Sequence, residues 1–218
     1  MRILWIGNSF TYYNDLPAIF EDLAKKEGQE IQTLSITKGG WFLHRHADPK
    51  DEMGAKVAQA LEAEWDVIVL QEQSFQPIRD PKDYMTSAAS LIKRCGKAKV
   101  FLYQSWSYED GSEKLAGTSL SFAQMHKKLS KSIHKVAAAL GASVSPVGEA
   151  LFCCCKKHPE IPLYIADHYH PSVFLSFMAA LTFYKSIYGE MPKEEFLPDG
   201  VDKERAAALK NIVASIGE

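Results

Sequence analysis

The stretch Arg2-Ile3-Leu4-Trp5-Ile6-Gly7-Asn8-Ser9-Phe10-Thr11 decides how the rest of the chain is read. An unbroken apolar run, Ile3 to Ile6, stops at a glycine and gives way to small polar residues. A short continuous run of this kind predicts a strand buried on both faces, as in a parallel sheet. Asn14 and Asp15 then offer N-caps to a helix carrying Leu16, Ile19, Phe20 and Leu23 at i, i+3, i+4 and i+7. Ser9 is left at the bend between them.

The same alternation continues along the chain. Further strands are expected at Ile31–Ile36, Asp66–Leu70, Val100–Tyr103 and Ala142–Val147, with the first at Arg2–Ile6. Helical periodicity falls around Val57–Glu64, Asp83–Lys93, Phe122–Leu140, Gly148–Lys157 and Ser172–Tyr188. A last helix starts at Asp202, after the Pro198-Asp199-Gly200 turn. Strand–helix alternation without repeats or a low-complexity linker predicts one α/β domain over residues 1–218. Its architecture is a three-layer α/β/α sandwich around a central five-stranded parallel sheet, with right-handed crossovers.

Composition narrows the function. A formal net charge of -2 over 218 residues gives no basic face for nucleic acid or a membrane surface. No apolar run approaches the ~20 residues of a membrane span. Ile3–Ile6 is too short for a signal-peptide core, so a cytoplasmic protein is expected. The thiols, Cys95 and the run Cys153-Cys154-Cys155, read as unpaired residues of a reducing compartment, since neighbouring side chains on a helix diverge.

Sites in parallel sheets form beyond the carboxyl ends of the strands. Those positions hold Gly7-Asn8-Ser9-Phe10-Thr11, Gly39-Gly40-Trp41, Gln71-Glu72-Gln73-Ser74 and Gln104-Ser105-Trp106. Asp167-His168-Tyr169-His170-Pro171-Ser172 stands just ahead of a helix. A serine, paired glycines, amide side chains and an Asp-x-x-His are the parts of serine-based acyl transfer.

On these residues the chain resembles the SGNH (GDSL-like) hydrolase superfamily. Gly7-Asn8-Ser9 matches its first block, Gly40 the second-block glycine, and Asp167-x-x-His170-Pro171 the fifth block. Gln71-Glu72-Gln73-Ser74 departs from the family's Gly-x-Asn-Asp, and Gln73 falls where the Asn would be. The resemblance implies a flavodoxin-like fold, Ser9 as nucleophile, His170 as base and Asp167 as its orienting carboxylate. It also implies an oxyanion site from the Ser9 and Gly40 amides and the Gln73 side chain, with Gln71 as the alternate donor. The expected substrate is a small-molecule ester, an acylated carbohydrate among them, and no cofactor is implied.

Two other readings compete. His44-Arg45-His46-Ala47-Asp48 has metal-ligand spacing if the segment is extended, which would make a metal-dependent hydrolase. Alternatively, Tyr12, Tyr13, Trp41, Phe75, Trp106 and Tyr108 fall in expected rim loops and would stack on sugars in a non-catalytic carbohydrate-binding module. A phosphate cradle at Ser9–Asn14 would leave Asp167 and His170 without a role.

Overall fold

The computed structural model describes residues 1–217. Strands β1 (Arg2–Gly7), β2 (Gln32–Thr37), β3 (Val67–Leu70), β4 (Lys99–Tyr103) and β5 (Ser143–Ser145) form one sheet in the order β2-β1-β3-β4-β5. Every pairing is parallel, with Leu4 opposite Leu34 on one side and Ile68 on the other. This is the expected sandwich.

Alternation along the strands divides the core. Ile3, Trp5, Val67, Val69, Phe101 and Tyr103 face one layer, while Leu4, Ile6, Ile68, Leu70 and Leu102 face the other. The first layer is built by α2 (Leu16–Lys26), α9 (Val147–Lys157), α10 (Val173–Tyr188) and α11 (Lys203–Ser215). There Trp5 is fully buried and meets Phe20 and Phe183 edge to face, at centroid distances of 5.7 and 4.8 Å. The second layer comprises α3 (Leu43–Ala47), α4 (Glu52–Ala60) and α6 (Pro81–Ile92). The long α8 (Phe122–Leu140) serves both layers, with Met125 and Leu129 in one and Ile133 and Val136 in the other. Three one-turn helices follow strand ends: α1 (Ser9–Tyr12) after β1, α5 (Gln76–Arg79) after β3 and α7 (Glu113–Ala116) after β4. Each large side chain buried in the two layers contributes about 1.5–3 kcal/mol.

Most element ends match the sequence reading, with three differences. The fifth strand stops at Ser145 rather than Val147 because Pro146, which has no N–H for the ladder, begins the turn into α9. Helix α4 starts early, at Glu52, since the Asp51 carboxylate caps it by accepting the Met53 amide at 3.1 Å. Residues 43–47 form a helix instead of an extended loop. No helix among the described residues is long and apolar enough to cross a membrane.

Candidate active site

β1 delivers its last residues to the carboxyl edge of the sheet, where the chain turns at once into α1. The turn is possible because position 7 is glycine. A Cβ there would lie 2.5 Å from Thr11 Oγ1 and 2.6 Å from Gln71 Oε1. Gln71 Oε1 fills that space, accepting the Asn8 amide at 2.7 Å and the Thr11 hydroxyl at 3.0 Å. Asn8 caps α1 by accepting the Phe10 amide, and its Nδ2 donates to the Trp41 carbonyl at 3.0 Å. Ser9 is thus held at the mouth of a cleft of about 280 Å³.

His170 reaches the same point from the loop before α10. Its Nε2 lies 2.8 Å from Ser9 Oγ and its Nδ1 lies 2.6 Å from Asp167 Oδ2. The other Asp167 oxygen accepts the Tyr169 and His170 amides at 3.1 and 2.9 Å, an Asx turn that fixes the i, i+3 geometry. Burial works against the Asp167 charge, but these donors and the His170 imidazole prevail and hold its carboxyl below the usual range. The His170 ring is stacked on Tyr13 at 4.3 Å and flanked by Tyr169 at 4.0 Å.

Gly40 sits on the facing wall of the cleft in a left-handed turn at φ 68°, a conformation glycine adopts without strain. Among the described residues, neither the Ser9 nor the Gly40 amide makes a hydrogen bond within the protein. The two glutamines separate. Gln73 lines the cleft; its Oε1 accepts the Phe75 and Gln76 amides at 3.0 and 3.1 Å, which fixes the side chain. Its Nε2 has only a long 3.4 Å contact with Ser74 Oγ. Gln71 is fully buried, and its Nε2 donates to the Glu72 carbonyl, away from the cleft.

Other expected site residues stand elsewhere. Trp106 is 1% exposed, stacked on Phe10 at 4.4 Å, with its Nε1 donating to the Tyr169 carbonyl. It supports the site from below and presents no face to a substrate. Trp41 is covered by the Arg45 guanidinium at 3.3 Å and the Lys38 ammonium at 4.1 Å, so its ring is already occupied. Tyr108 is buried against Ser74, and Tyr13 stacks on His170 rather than on the cleft's contents. Tyr12 alone of the expected sugar-stacking residues lines the cleft, and it is 42% exposed.

The metal pattern does not assemble. Two residues apart on α3, His44 and His46 point to different sides of a helix. His44 Nδ1 pairs with Asp83 at 3.0 Å, while His46 is fully buried and its Nε2–H donates to the Gly7 carbonyl at 2.9 Å. Burial pushes His46 down to about 4, keeping it neutral. The four cysteines are free, and burial pushes Cys154 up to about 12 and Cys155 up to about 11, far from nucleophilic thiolates.

Four contributors were missed in the sequence. Asn14, at φ 54°, donates from Nδ2 to the Pro171 carbonyl and Ser176 Oγ, tying the serine turn to the histidine loop. An Asn just before a helix could have signalled that left-handed turn. Glu72 is buried with one oxygen accepting the Leu43 and Gln73 amides. Lys114 and Tyr169 line the cleft, and nothing in the local sequence marks either one.

No family model and no curated protein matches the sequence. Solved structures do. A protein from Bacteroides uniformis of the DUF4886 family superposes with TM-score 0.84 at 20% identity, over 98% of this chain and 93% of that one. A single-residue variant of the acetyl xylan esterase Axe2 from Geobacillus stearothermophilus gives TM-score 0.64 at 15% identity, over 88% and 97% of the two chains. These two establish the fold. A protein from Slackia heliotrinireducens described as an SGNH hydrolase is 33% identical, with TM-score 0.75, over 86% of this chain and 98% of that one. By that relationship, this chain belongs to the SGNH hydrolase family.

Proposed function

We propose that the chain is a serine esterase cleaving small or carbohydrate-linked esters through Ser9, His170 and Asp167. The reading rests on one observation: the hydrogen-bonded chain Ser9 Oγ–His170 Nε2 at 2.8 Å and His170 Nδ1–Asp167 Oδ2 at 2.6 Å. Ser9 Oγ attacks the acyl carbonyl while neutral His170 takes its proton at Nε2. Asp167 fixes the tautomer with Nδ1–H donating to it and stabilises the imidazolium, while the stacked Tyr13 holds the ring in place. The tetrahedral oxyanion is received by the free amides of Ser9 and Gly40 and by Gln73 Nε2, each donor worth roughly 3 kcal/mol of barrier. His170 then protonates the departing alkoxide. Water, deprotonated by the same base, releases the acid and restores Ser9.

The cleft, about 280 Å³, suits a short acyl chain, and exposed Tyr12 at its edge offers a face to a sugar ring. The likeness to an acetyl xylan esterase makes acetylated sugars a reasonable first choice among substrates. A panel of 4-nitrophenyl esters of graded chain length, with acetylated xylose, tests the reading in the parent and in Ser9→Ala. The variant should lose roughly 10⁴–10⁶ in kcat on the best ester with unchanged circular dichroism. Turnover close to the parent's would refute it.

A further inference from the structure

We propose that Lys114 makes the cleft select anionic ligands, and hence esters that bear a negative charge. The inference deepens the esterase reading by naming a substrate class. Its kinetic test rests on that reading, whereas its binding test does not.

Lys114 lies on α7, far from Ser9 in sequence, yet it lines the cleft with Ser9, His170, Gly40 and Gln73. It is the only permanent cation among the lining residues, and no aspartate or glutamate lines the cleft. Among the described residues its ammonium has no carboxylate within ion-pair distance and no hydrogen-bond acceptor. Glu109 pairs with His168 at 2.6 Å, and Asp110 accepts the Phe122 amide at 3.3 Å.

The cation is nonetheless held in place. Its Nζ sits 3.3 Å from the centroid of Tyr169, whose ring adjoins the His170 imidazole. The turn beneath it is anchored by buried Leu115, whose amide donates to Ser112 Oγ at 3.1 Å. A π face positions an ammonium while engaging only the N–H directed at the ring and leaving the other donors free. Those donors are therefore available to an acceptor in the cleft. An anion there gains a charge-assisted hydrogen bond and meets no opposing carboxylate. A neutral ester gains neither, so the difference should appear as specificity.

The experiment compares 4-acetoxybenzoate with 4-acetoxybenzamide, which place the charge on the leaving group. A second pair, the mono-4-nitrophenyl ester of adipic acid and 4-nitrophenyl hexanoate, places it on the acyl group. The parent should prefer the anion in at least one pair, and Lys114→Gln should reduce that anion-to-neutral ratio of kcat/KM about tenfold, mostly through KM. Lys114→Arg should retain most of it, and 0.5 M salt should shrink it. An unchanged ratio in Lys114→Gln, even with both rates lowered, would make Lys114 merely structural and overturn the inference. So would a parent with no preference in either pair. Calorimetric binding of 4-hydroxybenzoate against 4-hydroxybenzamide supplies the second arm. If the parent cleaves no ester but binds the benzoate in a Lys114-dependent way, the esterase reading fails and this inference stands.

Discussion

Ser9 and His170 meet at 2.8 Å, and the two sides of that contact are held by unlike means. On the serine side the supports are buried and polar. Gln71 braces the Asn8 amide and Thr11, His46 holds the Gly7 carbonyl, and Glu72 ties the Leu43 amide to that of Gln73. On the histidine side the supports are a loop and its caps. Asp167 keeps a side-chain exposure of 34%, His168 takes φ 63°, and a single bridge pairs Tyr164 with Pro171. Unpartnered groups cost far more when buried than when wet. Damage on the serine side should therefore appear as lost stability, and damage on the histidine side as lost rate.

The sharpest break of that contrast is Asp167→Asn. The amide keeps an oxygen for the Tyr169 and His170 N–H groups but no longer stabilises the imidazolium. We expect kcat to fall roughly 10²–10⁴-fold. Stability should change by no more than about 1 kcal/mol, because the carboxylate is partly wet. Initial rates on one ester and a urea melt decide it. A large loss of stability would place Asp167 with the buried struts instead.

The glutamine pair tests the contrast within the serine side alone. Gln73→Ala removes the cleft-lining amide and should lower kcat roughly 10²–10³-fold with little change in KM. Gln71→Ala leaves the buried Asn8 amide and Thr11 hydroxyl without their acceptor, and should cost about 2–4 kcal/mol of stability. A kcat loss at Gln71 without unfolding, paired with a mild effect at Gln73, would exchange the two roles.

The sheet was legible because its strands are continuous apolar runs that end at glycine or polar residues, and such runs have few other uses. Ser9, Asp167 and His170 were legible because strand ends and an Asp-x-x-His before a capped helix carry geometric meaning. The rim aromatics were not. Trp106 looks like an exposed loop residue until Phe10 is known to lie against it, and Trp41 until Lys38 and Arg45 cover it. Residues 43–47 misled for a similar reason. The alternating histidines carry metal-ligand spacing only in an extended loop, whereas the Leu43 amide bonded to buried Glu72 and the Gly7 carbonyl bonded to His46 fix a helix. Those partners are distant in sequence, so no local pattern could announce them.

The buried side also carries a pH signature of its own, from Glu72 and His46. Burial raises Glu72 from an ordinary 4.5 to about 7, outweighing the Gln73 and Leu43 amides that stabilise the charge on one oxygen; its second oxygen has no partner. The folded chain then keeps a proton that the unfolded chain releases, so this group's contribution is full below 4.5 and is lost as pH rises towards 7. Burial lowers His46 from 6.5 to about 4, and here the unfolded chain takes up the proton first. Its contribution is full above 6.5 and is lost as pH falls towards 4. Between pH 4.5 and 6.5 the two slopes oppose and nearly cancel. Glu72→Gln should uncover the histidine slope. Relative to the parent, the variant should lose about 3 kcal/mol more stability on acidification across that window, roughly two pH units at about 1.4 kcal/mol each. His46→Gln should tilt the other way. Urea melts at half-unit pH steps give both differences, and curves that run parallel to the parent's would show that neither group titrates between the folded and unfolded states.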